Sequence, residues 1–260
     1  MTSPNCLLAV ATLVFSGALI TPAIANTERP DDTALTKYQE QSAITELWEP
    51  IPRSVDASIN GGPPSDAIVL FDGSHLEHWE SAKSTSPQWE VIDGHLVVVP
   101  GTGNLRTRQA FGDVQLHIEW RTPRIVNGEG QDRGNSGVFL MERYEVQVLD
   151  SFGNTTYPNG QAASIYKQHI PLVNASKAPG EWQTYDIIFM APEFSRDGRI
   201  KRSATATVFH NSVLVQNNVT LHGPTEYIGE PLYREHGEAA LELQDHGSPV
   251  AYRNIWIREL

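Results

Sequence analysis

The chain has 260 residues, and its 19 Lys and Arg against 31 Asp and Glu leave a net charge of −12, which excludes nucleic-acid binding through a basic face. Apolar residues make up 40% and charged ones 19%, the balance of a globular protein and not of a disordered one. The 20 Gly and 17 Pro argue against a helical bundle, because both residues interrupt helices.

The first element in chain order is an uncharged apolar run of 14 residues, Leu7–Ile20. It falls short of the roughly 20 residues needed to span a membrane. Pro22-Ala23-Ile24-Ala25 follows with the small residues of a signal-peptidase site, so Met1–Ala25 reads as a cleaved signal peptide, with an uncleaved anchor as the alternative. That reading implies a periplasmic or secreted protein with no membrane span after cleavage. Cys6, the only cysteine, leaves with the peptide, which excludes disulfides, thiolate zinc sites and a cysteine nucleophile from the mature chain.

In residues 26–66, Leu35, Tyr38, Ile44 and Leu47 fall on one side of a helix over Ala34–Trp48. Glu49–Ser65 then holds Pro50, Pro52, Gly61, Gly62, Pro63 and Pro64, the composition of a linker or of a strap on the domain surface. From Ala67 to Leu260 the signal is strands and turns. Val114, Leu116, Ile118 and Trp120 alternate with Gln115, His117, Glu119 and Arg121, as in a strand with one buried face. Short β-prone runs recur at Leu96–Val99, Gly137–Met141, Tyr144–Leu149, Tyr185–Met190, Ala204–Phe209, Val213–Val215 and Ile255–Ile257. His210-Asn211-Ser212 reads as a hairpin turn between two of them. Many short strands broken by Gly, Pro and Asn predict an all-β, two-sheet sandwich with a short helical N-terminal extension.

Two segments carry candidate chemistry. If Tyr144–Leu149 is a central strand, Tyr144, Val146 and Val148 share one face, and Arg143, Glu145 and Gln147 share the other. A polar face on such a strand is either a wet cross-strand ion pair of Arg143 with Glu145, or a concave surface that hydrogen-bonds sugar hydroxyls. In the second case Glu145 acts as acid or base, tuned by Arg143 and by burial. In Gln244-Asp245-His246-Gly247, Asp245 either orients the His246 imidazole as a general base or serves with it as a solvated turn. Tyr166 is a candidate oxyanion donor or a core residue, and Trp182 stacks on a sugar or fills the core. The loop Gly128–Asn135 is polar enough for calcium but lacks the D-x-D-x-D-G spacing. Asn154-Thr155-Thr156 and Asn218-Val219-Thr220 match glycan acceptors, and no G-x-S-x-G, H-E-x-x-H or P-loop is present.

Several motifs occur together and in order: Val69-Leu70-Phe71-Asp72-Gly73 with Trp79, Trp89-Glu90-Val91-Ile92-Asp93-Gly94-His95-Leu96, Phe111-Gly112-Asp113 with Leu116–Trp120, and Gly134-Asn135-Ser136-Gly137-Val138. Tyr144–Ser151, Pro179–Asp186 and Leu243–Gly247 complete the set. It resembles the exported bacterial family once known as DUF1080, described as 3-keto-glycoside hydrolases, or as 3-keto-glucoside 1,2-lyases with 3-keto-2-hydroxy-glucal hydratases. The resemblance covers 67–260 and implies a concanavalin-like jelly roll of two antiparallel sheets with a ligand groove on the concave one.

It further implies a 3-keto-glycoside substrate, supplied by a sugar 3-oxidoreductase, and cleavage by β-elimination followed by hydration of the resulting 2-hydroxy-glycal. On that reading His246 and Glu145 are catalytic, and Arg143, Gln147, Tyr166, Asp245 and Trp182 bind or position substrate. No organic cofactor is required, and a divalent metal at the enolate would do the work of hydrogen-bond donors. Met141-Glu142, where relatives carry a basic residue and glycine, and Glu242, often basic or neutral in relatives, depart from the pattern. The alternative is a lectin-like carbohydrate-binding module that uses the same groove without turnover.

Overall fold

The computed structural model describes residues 32–57, 62–81, 83–84 and 86–260, so the expected signal peptide lies outside the described residues. The chain divides into two units, one ending at Arg53 and one running from Ser54 to Leu260. In the first, helix α1 spans Asp32–Ala43. It stops before the expected Trp48: Thr45 N donates to Ser42 O and Glu46 N to Ala43 O in closing turns, so Ile44 and Leu47 lie past the helix. None of the helices among the described residues is long and apolar enough to cross a membrane.

The second unit begins with β1 (Ile68–Phe71), β2 (Trp79–Ser81), β3 (Glu90–Ile92), β4 (His95–Val97), β5 (Leu105–Phe111), β6 (Val114–Arg121), β7 (Ser136–Leu140) and β8 (Tyr144–Val148). It continues with β9 (Gln183–Met190), β10 (Glu193–Phe194), β11 (Ile200–Arg202), β12 (Thr205–His210), β13 (Val213–Thr220), β14 (Ala239–Leu243) and β15 (Ala251–Glu259). Among the described residues these form an eight-stranded sheet in the order β13-β12-β9-β6-β15-β4-β3, with β1 also on β15. A five-stranded sheet runs β2-β5-β14-β7-β8, and β10-β11 make a small ribbon. Every pairing is antiparallel.

Strand alternation sends Leu116, Ile118 and Trp120 of β6, with Tyr185, Ile187 and Phe189 of β9, into one core with Val138 and Leu140 of β7, Tyr144, Val146 and Val148 of β8, and Leu241 and Leu243 of β14. The two sheets thus make the sandwich that the sequence predicts. The hairpin turn at Asn211-Ser212 has φ of 52° and 65°, the paired left-handed conformation that matches strand twist.

One expectation needs correction. Strand β8 is the outermost of the small sheet, not a central strand. Its free edge is covered by the segment after it: Ala163 N donates to Gln147 O, Gln147 N to Ser164 O and Tyr166 N to Glu145 O. On the core side the Tyr185 hydroxyl donates to Gln147 O at 2.7 Å, which ties β8 to the opposite sheet. Val55, Ala57, Gly62 and Pro64 lie against the outer face of the large sheet with Gln115, His117 and Trp256, and Arg258 there donates to Asp66 at 2.9 and 2.7 Å.

Candidate active site

The alternation that buries Tyr144, Val146 and Val148 turns Glu145 and Gln147 to the other face of β8, as the parity argument expects. That face is also closed from water, with Glu145 only 4% exposed and Gln147 1%. The cover comes from loops, because Glu145 N also donates to the Thr225 hydroxyl at 3.0 Å and Thr225 N to Arg143 O. Between these loops and the sheet lies a cavity of about 470 Å³. Glu145, Gln147, Phe139 and Gln244 line its sheet side, Tyr157, Tyr166 and Tyr227 its loop side, and His246 its rim.

Gly137 makes the floor possible. A Cβ there would stand 2.6 Å from Glu145 Oε1 and 2.8 Å from the Phe139 ring, so any other residue would displace both. Glu145 accepts no side-chain hydrogen bond among the described residues, and burial pushes its ionisation up to about 8. It is therefore neutral at pH 7, a carboxylic acid with a proton to give.

A chain of amides fixes what Gln147 presents. Gln131 Nε2 donates to the backbone oxygen of Gly160 at 2.8 Å and to the Thr156 hydroxyl, which settles which end of Gln131 faces which way. Its Oε1 then accepts from Gln147 Nε2 at 3.1 Å. Among the described residues Gln147 Oε1 is left buried without a partner, as is Gln244 Oε1. Both oxygens can only accept, so the cavity calls for a ligand rich in donors. The hydroxyls of Tyr157 and Tyr166 lie 2.7 Å apart, so one O–H of the pair remains available to a ligand. Burial, with the Tyr157 hydrogen bond adding to it, raises the Tyr166 ionisation above its ordinary value.

The structure thus brings Glu145, Gln147, Tyr166 and His246 to one cavity and leaves three expected site residues elsewhere. Arg143 sits past the turn at the head of β8, where Met141 and Glu142 have φ of 54° and 56°. Its guanidinium turns back to Met141 O at 2.8 Å and lines a separate hollow with Glu226 and Glu230, so it does not tune Glu145. Asp245 does not orient His246. Its two oxygens accept from Gly103 N at 2.9 Å and Gly247 N at 3.0 Å, which makes it the builder of the turn that carries the histidine. Trp182 lies against the Arg121 and Arg253 guanidiniums, 4.6 and 4.1 Å from its ring, beside His95 and away from the cavity.

Sequence reasoning passed over Gln131, Phe139, Tyr157, Thr225 and Tyr227, whose places depend on loop packing. Gln131 belongs to the polar loop read for calcium. That loop is tied to the segment after β8, with Asn154 bonded to both the N–H and the carbonyl of Gly130. Among the described residues, no group of three or more His, Cys, Asp and Glu could hold a metal ion. The groups lining the cavity that could hold a divalent cation include the Glu145 and Asp132 carboxyls, the amide oxygens of Gln147 and Gln244, and His246.

Among proteins with curated descriptions, none matches the chain. Solved structures do. A candidate glycosyl hydrolase from Parabacteroides distasonis is 50% identical, with a TM-score of 0.80 over 84% of this chain and 96% of that one. Two further candidate glycosyl hydrolases from that organism share the fold at 18% and 21% identity, with TM-scores of 0.56 and 0.51. They cover 80% and 75% of this chain, and 100% and 99% of their own. Residues 66–258, which hold both sheets and every wall of the cavity, match one family throughout, and the chain belongs to it: the 3-keto-alpha-glucoside-1,2-lyase-like domains.

Proposed function

We propose that the protein is an exported carbohydrate-active enzyme that cleaves 3-keto-glycosides by β-elimination across C1–C2 and hydrates the resulting 2-hydroxy-glycal. Family membership and the 50%-identical candidate glycosyl hydrolase support carbohydrate processing. The observation that carries the finer reading is Glu145, a buried acid with no cation against it among the described residues, on the floor of a cavity that offers acceptors to hydroxyl groups. A keto-sugar needs one proton donor at its leaving oxygen and one base at C2. It does not need the two ionised or paired carboxylates of ordinary glycosidases.

In this reading His246 on the rim removes the C2 proton, which the C3 ketone has made acidic. The electron pair passes to the C3 oxygen, where the free O–H of the Tyr157–Tyr166 pair stabilises the enolate. As the ketone re-forms, the C1–O bond breaks and Glu145 gives its proton to the departing oxygen. Water then adds at C1 of the glycal, its proton going to the Glu145 carboxylate while protonated His246 returns one to C2. The cycle consumes water and no redox equivalent, so it calls for no organic cofactor. Gln147 and Gln244 hold sugar hydroxyls. The C3 ketone comes from an upstream sugar 3-oxidoreductase, and the exported location rests on the Met1–Ala25 leader.

The test is turnover. Wild type should release glycal or 3-keto-glucose from a 3-keto-glucoside and leave the unoxidised glucoside intact. The variants His246→Ala and Glu145→Gln should each lose at least about 100-fold in kcat. Near-wild-type rates in both folded variants would refute the assignment, and tight binding without product would make the protein a lectin-like module.

A further inference from the structure

The cavity does not end the polar surface of the small sheet. Backbone register sets Glu80 opposite Arg106, Arg106 opposite Glu242, Glu242 opposite Phe139 and Phe139 opposite Glu145. One transverse row therefore crosses all five strands, and alternation turns its side chains to the face that bears the cavity. Arg106 is committed: its Nε and Nη2 lie 3.1 and 3.0 Å from Glu80, and its Nη1 lies 2.9 Å from Glu142. Glu242 receives none of those hydrogen bonds. One of its oxygens accepts from Asn104 Nδ2 at 2.9 Å, and the side chain is only partly buried.

We infer that Glu242, with Asn104 beside it, determines specificity in a second subsite that holds the leaving group across Phe139 from Glu145, taking neutral or cationic polyols and rejecting carboxylated ones. The inference rests on the keto-glycoside reading of the Glu145 cavity. Glu145 must touch the scissile oxygen, and the strand that bears Phe139 is all that separates it from Glu242, a span of about 10 Å. Tyr166 covers the outer edge of β8 and Tyr157 is bonded to it, so a substituent at C1 runs the other way, over the half-buried Phe139 ring toward Glu242. Three carboxylates, Glu80, Glu142 and Glu242, face two guanidiniums, Arg106 and Arg108, the second held 3.1 Å from Glu80, which leaves Glu242 as the carboxylate in excess. Burial chiefly raises the Glu242 ionisation, with Asn104 and Arg106 opposing it and Glu142 adding to it. Glu142 and Glu242 thus stand at one place, both beside Arg106.

The experiment compares kcat/KM for three 3-keto-glucosides whose leaving groups are methanol, glucose and glucuronate. Wild type should prefer the glucose leaving group to glucuronate by about tenfold or more. Glu242→Gln should shrink that preference to within about threefold and lower the ratio of the glucose substrate to the methyl substrate, changes that a structural loss would not produce selectively. If wild type turns over the methyl substrate but both ratios persist in Glu242→Gln, the subsite is refuted while the enzyme reading stands. If wild type turns over none of the three, the enzyme reading fails. The subsite is then judged by calorimetric titration with a glucose–glucose and a glucose–glucuronate disaccharide, and equal selectivity in wild type and Glu242→Gln overturns it.

Discussion

Replacing Glu145 by Gln should make the protein more stable as it makes it inactive, and the gain should grow with pH. Moving the ionisation from 4.5 to about 8 corresponds to about 5 kcal/mol between the two protonation states. Below pH 4.5 folded and unfolded chains both hold the proton, and the group adds no pH dependence. Between 4.5 and 8 only the folded chain holds it, so each pH unit upward removes about 1.4 kcal/mol of stability, and above 8 the whole amount is lost. Glutamine keeps the shape and never ionises. Relative to wild type, Glu145→Gln should gain nothing at pH 4.5, about 3 kcal/mol at pH 7 and up to about 5 kcal/mol at pH 9, the last being a ceiling because water can enter around a charged Glu145. Urea unfolding of both proteins at these pH values, with m unchanged, measures the difference. A difference that does not grow with pH would show that Glu145 has a compensating partner, and the acid role derived from its burial would fall with it.

Gly137→Ala should cost about 1–3 kcal/mol in urea unfolding and abolish turnover, because its Cβ would meet Glu145 Oε1 at 2.6 Å; unchanged stability would mean that the floor can yield. Gln131→Met frees the Gln147 amide to turn either end to the cavity, and should raise KM for a 3-keto-glucoside about tenfold with a smaller change in kcat. His210, packed against Trp120 and Tyr185, has its ionisation depressed to about 4, chiefly by burial and then by Lys177. The unfolded chain takes up that proton from pH 6.5 downward while the folded chain waits until about 4, so stability should fall by about 3 kcal/mol over that window. His210→Gln should remove most of this loss in urea titrations between pH 6.5 and 4.

Period-two alternation made the fold and half of the site legible. It told Glu145 and Gln147 apart from Tyr144, Val146 and Val148 without any coordinates, because a strand's parity is a local property. It failed where the strand ended. Arg143 has the parity of Glu145, but two left-handed residues before it reverse the chain and swing its side chain away. Asp245 next to His246 invited a dyad, and only the position of Gly103, more than a hundred residues away, shows that the carboxylate is already used by backbone. Trp182 immediately precedes β9 of the large sheet, so its distance from the cavity is a fact of sheet order, which composition does not encode. The walls formed by Gln131, Tyr157, Thr225 and Tyr227 come from loops whose docking is set by tertiary contacts.

The position of β8 explains why those loops matter. An outermost strand exposes a row of unpaired backbone groups, which folded proteins cover or blunt. Here residues 163–166 and Thr225 cover it, and the same hydrogen bonds set the walls: Tyr166 N bonds the carbonyl of Glu145, and Thr225, two residues before Tyr227, bonds the Glu145 amide. Protecting the edge and enclosing the acid are one structural act. A central strand, paired on both sides by regular neighbours, would have left Glu145 on an open sheet face, solvated and ionised at neutral pH. Loosening the cover should therefore lower the Glu145 ionisation. Thr225→Val removes the hydroxyl that accepts from Glu145 N while keeping the side chain's bulk, and should shift the alkaline limb of the kcat profile, where Glu145 loses its proton, to lower pH. An unshifted limb in a folded Thr225→Val protein would mean that the sheet alone, without its loops, sets the environment of the acid.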